Sequence, residues 1–205
     1  MAPKVENVRL GDRAQRRREQ TAGALLEAAR HVLSAKGYHG TKIVDIARTA
    51  GVGVGTFYLY YPTKEALFLE LVEDTVARLK IELDAVRAQV ADPVEQSRTR
   101  TFTFLRFAQD NRELFRIVFG HGASFHDVVR NSQEGFIRDL HQIIAGGIHD
   151  GSFRAGDAMV WAQAVIGMSL QVVSWWIEQE DNVPIEDVAA ALSDLTLHGM
   201  LASSR

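Results

Sequence analysis

The chain has 205 residues, a formal net charge of −3 at neutral pH, 46% hydrophobic residues, four prolines and no cysteine. That length holds one large domain or a small one joined to a medium one, and the absence of cysteine excludes disulfides and thiolate metal sites. The polar N-terminal run MAPKVENVRLGDRAQRRREQ lacks the apolar centre of a secretion signal, so a cytoplasmic protein is expected.

The elements read as helices in chain order. Apolar positions at Leu25, Leu26, Ala29 and Leu33 form a helical stripe between about Gln15 and Lys36, and Gly37 follows as a C-terminal stop. Thr41 is placed to cap a short second helix holding Ile43, Ile46 and Ala47, which ends before Gly51. The glycine-rich turn Val52-Gly53-Val54-Gly55 leads into a third short helix with Thr56, Phe57, Tyr58 and Tyr60. Pro62 ends that helix, and Thr63 caps a long fourth one. Further helices are expected near 63–89, 94–110, 112–119, 125–149, 157–180 and 185–202. Breaks fall at Asp92-Pro93, Gly120–Ala123, Asp150-Gly151 and Asp181–Pro184. No strand-period alternation appears, so the expected fold class is all-α. A helix-turn-helix domain over 1–62 would be followed by a helical ligand-binding and dimerisation domain over 63–205.

Charge divides along the same line. Residues 1–64 carry eleven Lys/Arg against five Asp/Glu, or +6, while residues 65–205 carry −9. A basic head on an acidic body suits a protein that places one end on a polyanion.

Two short helices joined by a glycine turn, the second rich in tyrosine and threonine, match helix-turn-helix chemistry. Ala47 and Gly51 are expected to let the helices approach, with Ile43, Ile46, Val52 and Phe57 as a small shared core. The run from Gly37 through Gly40-Thr41-Lys42-Ile43-Val44-Asp45-Ile46-Ala47 to Gly55-Thr56-Phe57-Tyr58-Leu59-Tyr60-Tyr61-Pro62-Thr63-Lys64-Glu65-Ala66-Leu67 resembles the DNA-binding signature of the TetR family of repressors. This resemblance covers about 50 residues. It implies a homodimer on a pseudo-palindromic double-stranded operator, a C-terminal ligand domain, and release of DNA when ligand binds. Among the DNA-binding residues it implies are Thr41, Lys42 and Thr56, the last two reaching phosphates from helix N-termini. Tyr58 would touch backbone or a thymine methyl, Tyr60 and Lys64 would hold flanking backbone, and Val54 and Gly55 would come nearest the base edges. Arg13, Arg16, Arg17 and Arg18 form a candidate basic arm. Two departures stand out. Gly53 occupies a position that is often serine in the family, and Lys42 one that is often threonine. Because Val54 and Gly55 offer no hydrogen-bonding side chain, specificity is expected to lean on shape and apolar contacts.

The C-terminal part resembles the family more loosely. The stretch from Trp161 to Ile177 is apolar nearly all round, short for a membrane span, and reads as a buried helix, so no membrane partner is expected. With the final helix it would pair with its copy in a second subunit, through Trp161, Val165, Val172, Trp176, Leu192 and Leu195. Phe102, Leu105, Phe115, Phe119, Phe136, Met168 and Gln171 are candidates for lining an apolar pocket for a small hydrophobic effector. The Trp175-Trp176 region is similar to fatty-acyl-responsive members of the family. Histidines 121, 126, 141 and 149 lack a zinc-ligand spacing, and no nucleophile elbow, phosphate loop or paired-carboxylate site is present. The expectation is therefore a regulator without metal or cofactor, and not an enzyme. A helical enzyme and an architectural DNA protein are the rival classes, and activation rather than repression is equally compatible with the DNA-binding motif.

Overall fold

The computed structural model describes residues 4–120, 122–179 and 183–200, with side chains from residue 15 onward except at 120, 122–129, 131, 132 and 200. All its elements are helices: α1 (Lys4–Gly40), α2 (Ile43–Thr49), α3 (Val54–Tyr60), α4 (Lys64–Gln89), α5 (Pro93–Asp110), α6 (Arg112–Gly120), α7 (Gly122–Asp150), α8 (Ala158–Glu178) and α9 (Ile185–Met200). They form two compact units, Met1–Val72 and Glu73–Arg205.

The division falls ten residues beyond the boundary drawn at Pro62, because the first turns of α4 belong to the N-terminal unit. Leu67, Phe68 and Leu71 are buried, and the Tyr38 and Phe68 rings meet edge to face with centroids 4.9 Å apart. α1 also begins earlier than its apolar stripe suggests. The upstream residues include Lys4, Glu6, Arg9, Leu10, Arg13 and Ala14, which favour helix without needing to be packed. Gly37 has φ 64°, ψ 177°, a left-handed break within the assigned span of α1. Leu25, Ala29, Val32 and Leu33 of α1, Ile46 and Ala47 of α2, and Phe57 of α3 are buried in this unit. Ile43 and Val52, also expected in the shared core, are only half-buried. Gly51 is needed for its φ of +70°, not for helix approach, since a Cβ there would meet nothing within 4 Å.

In the C-terminal unit α7 packs along α8, α5 along α9, and α6 against both α7 and α8. The helix starts follow local chemistry. Asp92 accepts a hydrogen bond from Glu95 N at 2.7 Å ahead of Pro93, and Asp157 accepts from Met159 N and Val160 N. One cluster gathers Leu105, Ala108, Val173, Trp176 and Ile177, with Phe102, Phe104, Phe115 and Phe119 against it. A second joins Leu79 and Leu83 of α4 to Phe107, flanked by Phe104, Phe115 and Phe136. A third sets Ile144, Phe153, Ala162 and Leu197 together. The end of α8 is held by two guanidinium groups of α6. Arg112 donates to the carbonyls of Ile177 (2.9 Å) and Gln179 (2.8 Å), and Arg116 donates to Ile177 O at 3.2 Å. Cations at the negative end of a helix satisfy carbonyls that the ladder leaves free.

Candidate functional site

The turn between α2 and α3 is closed by Val52 N donating to Ala47 O at 2.9 Å. Phe57 anchors α3 by its buried side, and its ring contacts those of Tyr58 and Tyr61. What remains outward on α3 is Val54 (39% exposed), Gly55, Tyr58 (54%) and Leu59 (76%). Spaced i, i+1, i+4 and i+5, these positions share one side of the helix, with Gly55 and Leu59 roughly opposite Phe57. Leu59 was not among the sequence candidates, although the same helical arithmetic applied from Phe57 would have found it.

Gly53 caps α3 through its backbone alone, with no side-chain hydrogen bond. Thr56 and Tyr60 are half-buried, and Arg18 of α1 lies 6.0 Å from the Tyr60 ring centroid. Arg16 is exposed on α1, while Arg13 lies outside the residues whose side chains are described. Lys42 is exposed and is itself the N-cap residue of α2.

Two expected contacts are corrected. Thr41 neither caps α2 nor faces outward. It is 2% exposed, and its hydroxyl donates to Gly37 O at 2.6 Å, so it closes the break at the end of α1. The Lys64 ammonium is turned inward, donating to Tyr38 O (3.0 Å) and Thr41 O (3.3 Å) and lying 4.1 Å from the Tyr38 ring centroid. It ties the start of α4 to the end of α1. Beside it, burial and the Glu65 carboxylate push the Tyr38 phenol above its ordinary pKa, and the phenol donates to Glu65 at 3.4 Å.

Asp45 of α2 organises nearby cations. Lys36 donates to it at 2.8 Å, and Arg48 approaches within 3.6 Å. The Lys36 hydrogen bond, opposed by burial and aided by the charges of Lys36, Arg48 and Lys42, holds its carboxyl below the usual range. Lys36 thus ties the end of α1 to α2.

In the C-terminal unit the phenylalanine candidates come together, but as packed core. Leu105 is fully buried among Phe102, Phe104, Phe115 and Phe119, and Phe136 joins the neighbouring cluster. Met168 is half-buried. Gln171 is exposed, on the side of α8 away from these rings, and does not line the cluster. A shallow cavity of about 240 Å³ opens between α5 and α9, lined by Arg98, Phe102, Ala189, Ala190, Ser193 and Asp194, so Phe102 is the one candidate it touches. Among the described residues no three His, Asp or Glu side chains gather as a metal site. The side chains of His121 and His126 are outside the described set.

The residues expected between subunits divide. Trp176 and Leu192 are buried within their own chain, Trp176 Nε1 donating to Val183 O at 2.9 Å, and Val172 packs against the same core. Trp161 is half-buried beneath Arg154, whose guanidinium lies 4.6 Å from its ring centroid, and Val165 is half-buried too. Leu195 is 68% exposed. The exposed face of α8 runs through Val160, Ala164, Gly167, Gln171 and Trp175. Successive residues differ by 100° around a helix, so Trp175 faces out while Trp176 faces in. α8 is therefore covered on one side only within the chain, and it is long and apolar enough to cross a membrane by length and composition.

Comparison with known proteins agrees with this architecture. Residues 25–71 match the family described as bacterial regulatory proteins, tetR family, and residues 74–205 match the tetracyclin repressor-like C-terminal domain. The chain is 22% identical over 181 residues to a fatty acid metabolism regulator protein of Bacillus subtilis (strain 168), spanning 86% of this chain and 93% of that one. It shares its fold with the fatty acid degradation regulator FadR from Bacillus halodurans (TM-score 0.75, 20% identity, 86% and 94% of the two chains). The same holds for the transcriptional regulator FadR from Bacillus subtilis in complex with stearoyl-CoA (TM-score 0.71, 20% identity, 86% and 97%). With family matches that together run from the first helix to the last residue, the chain belongs to the TetR family of bacterial transcriptional regulators.

Proposed function

We propose that this regulator is a homodimeric repressor, bound to a pseudo-palindromic operator in the cytoplasm and released from it by a hydrophobic effector of the fatty-acyl class. The observation that carries the DNA half is the outward face of α3, anchored by Phe57, in a unit where the cations Arg16 and Lys42 are also exposed. Phosphate contacts from Arg16, Lys42, Thr56 and Tyr60 would set register, with Val54, Gly55 and Tyr58 in the major groove. Lys64 would contribute by holding α1 and α4 together.

The effector half is supported by the phenylalanine cluster around Leu105 and by the likeness to a regulator crystallised with stearoyl-CoA. Phe102, Phe115, Phe119, Phe136 and Met168 are the proposed lining, and an acyl chain would enter by parting these rings. The second subunit would cover the face of α8 carrying Val160 and Trp175 and the exposed Leu195 of α9, burying apolar area that the single chain leaves in water. Release then follows from linkage. An effector that binds better to the form unable to span two half-sites lowers operator affinity, and operator lowers effector affinity by the same factor. α4 belongs to both units, so a change in its direction fixed by ligand is the proposed route to altered separation of the two recognition helices.

The test is selection of genomic fragments by the purified protein, followed by mobility shifts with a panel of acyl thioesters and other hydrophobic metabolites. A palindromic consensus released by acyl thioesters is the expected result. Release by another class alone would overturn the effector assignment, and absence of sequence-selective binding would overturn the operator assignment.

A further inference from the structure

The segment Ala50–Thr63, which contains the whole of α3, has no Arg, Lys, His, Asp, Glu, Asn or Gln. Hydrogen-bond readout in the major groove uses Arg or Lys on guanine and Asn or Gln on adenine, with Asp or Glu accepting from cytosine. Serine or threonine can serve in either role, but Thr56, the one such residue in α3, is half-buried and is assigned above to phosphate, and α3 has none of the others. Its outward side presents Val54, Tyr58 and Leu59, aliphatic or aromatic groups left in water by the fold, Leu59 being 76% exposed. The one feature of a major-groove base edge that suits such groups is the 5-methyl of thymine. Lys42, the exposed N-cap residue of α2, and the exposed Arg16, two residues before the Arg18 that meets the Tyr60 ring, supply charge complementary to phosphates.

Gly55 adds an independent observation. It is exposed within α3, and a Cβ there would meet nothing within 4 Å. Glycine weakens a helix relative to alanine, and neither packing nor a left-handed φ inside this chain calls for it. A bare backbone at the centre of the outward face fits close approach by an external surface.

We propose that α3 selects its half-site through thymine 5-methyl groups contacted by Val54, Tyr58 and Leu59, with Gly55 letting the helix axis approach the base edges. This rests on the operator-binding reading above and adds the chemistry of the sequence that is read. Leu59 becomes a specificity-determining residue.

The experiment uses the full chain and the operator it selects. Deoxyuridine in place of each half-site thymine removes the methyl and keeps the pairing. The expected loss is about fourfold in affinity per contacted methyl, the equivalent of one buried methylene. Replacement of half-site purines by 7-deazapurines, which lack the N7 acceptor, should leave affinity unchanged. Two protein variants complete the test. Gly55→Ala should raise the thermal midpoint while lowering operator affinity, and Leu59→Ala should lower operator affinity while keeping binding to unrelated DNA. Full affinity on deoxyuridine operator, or loss confined to the deazapurine sites, overturns the proposal and leaves the operator assignment standing. Failure to select any operator overturns both.

Discussion

Thr41 shows how much a single hydroxyl does at the base of the DNA-binding unit. Its Oγ1 satisfies the Gly37 carbonyl at the left-handed break, in a position closed to solvent. Thr41→Val keeps the shape and removes the bond, so a stability loss of about 1 kcal/mol is expected in urea denaturation, with operator affinity of the folded protein unchanged. Reduced operator affinity at unchanged stability would instead put this hydroxyl on DNA. Asp45 works through charge. Its folded pKa is lowered, by the Lys36 hydrogen bond first, so it stabilises the fold above its unfolded value, and this contribution is lost as pH falls through the folded value. Asp45→Asn should therefore lower the thermal midpoint at neutral pH. The gap from wild type should close in acid, below the ordinary carboxylate value of about 4. A gap that persists there would mean that the asparagine disturbs packing.

At the scale of elements, helix junctions in the C-terminal unit depend on side chains tucked under a neighbouring backbone. Phe153, after α7, donates its N–H to Gly147 O at 2.8 Å and lays its buried ring where a Cβ on residue 147 would stand. Gly147→Ala forces the ring aside. A loss of about 1–3 kcal/mol is expected by overpacking, outweighing the gain in helix propensity, and calorimetry would show it as a lowered midpoint. A raised midpoint would mean that the ring finds another seat at no cost. The α6–α8 junction relies on hydrogen bonds between guanidinium groups and carbonyls. Arg112→Met, which keeps the stem and removes its hydrogen bonds to the Ile177 and Gln179 carbonyls while leaving Arg116 on Ile177 O, should destabilise by roughly 1.5–3 kcal/mol. Amide exchange at the end of α8 should rise with it, and unchanged protection would show that the carbonyls are satisfied otherwise.

For the whole molecule, the outstanding surface is apolar and faces away from the chain's own core. Val160 and Trp175 on α8 and Leu195 on α9 are exposed, while their neighbours Trp176 and Leu192 are interior. The double variant Trp175→Asp, Leu195→Asp changes no buried side chain. It should sediment as a folded monomer and lose operator affinity by orders of magnitude, because one recognition helix then binds one half-site alone. Retention of the wild-type mass would place the subunit contact elsewhere.

Chemistry that acts within a few residues was legible in the chain. Thr63 caps α4, accepting from Ala66 N at 3.1 Å, Gly37 and Gly51 take left-handed φ, and Pro93 opens α5 behind the Asp92 cap. Spacing of apolar residues gave the helices, and the motif from Gly37 to Leu67 gave the family, because local backbone preference and periodicity need no knowledge of neighbours. Direction was decided only by tertiary structure. Thr41 and Lys64 turn inward because unsatisfied carbonyls at the end of α1 lie within reach. Trp176 and Leu192 turn to the interior because α8 and α9 pack by one face each, and Leu59 is left outward because Phe57 fixes the rotation of α3. Residue type and spacing tell which groups a helix carries. The partners they meet depend on the rotation of each helix about its axis, which is set by contacts far apart in sequence.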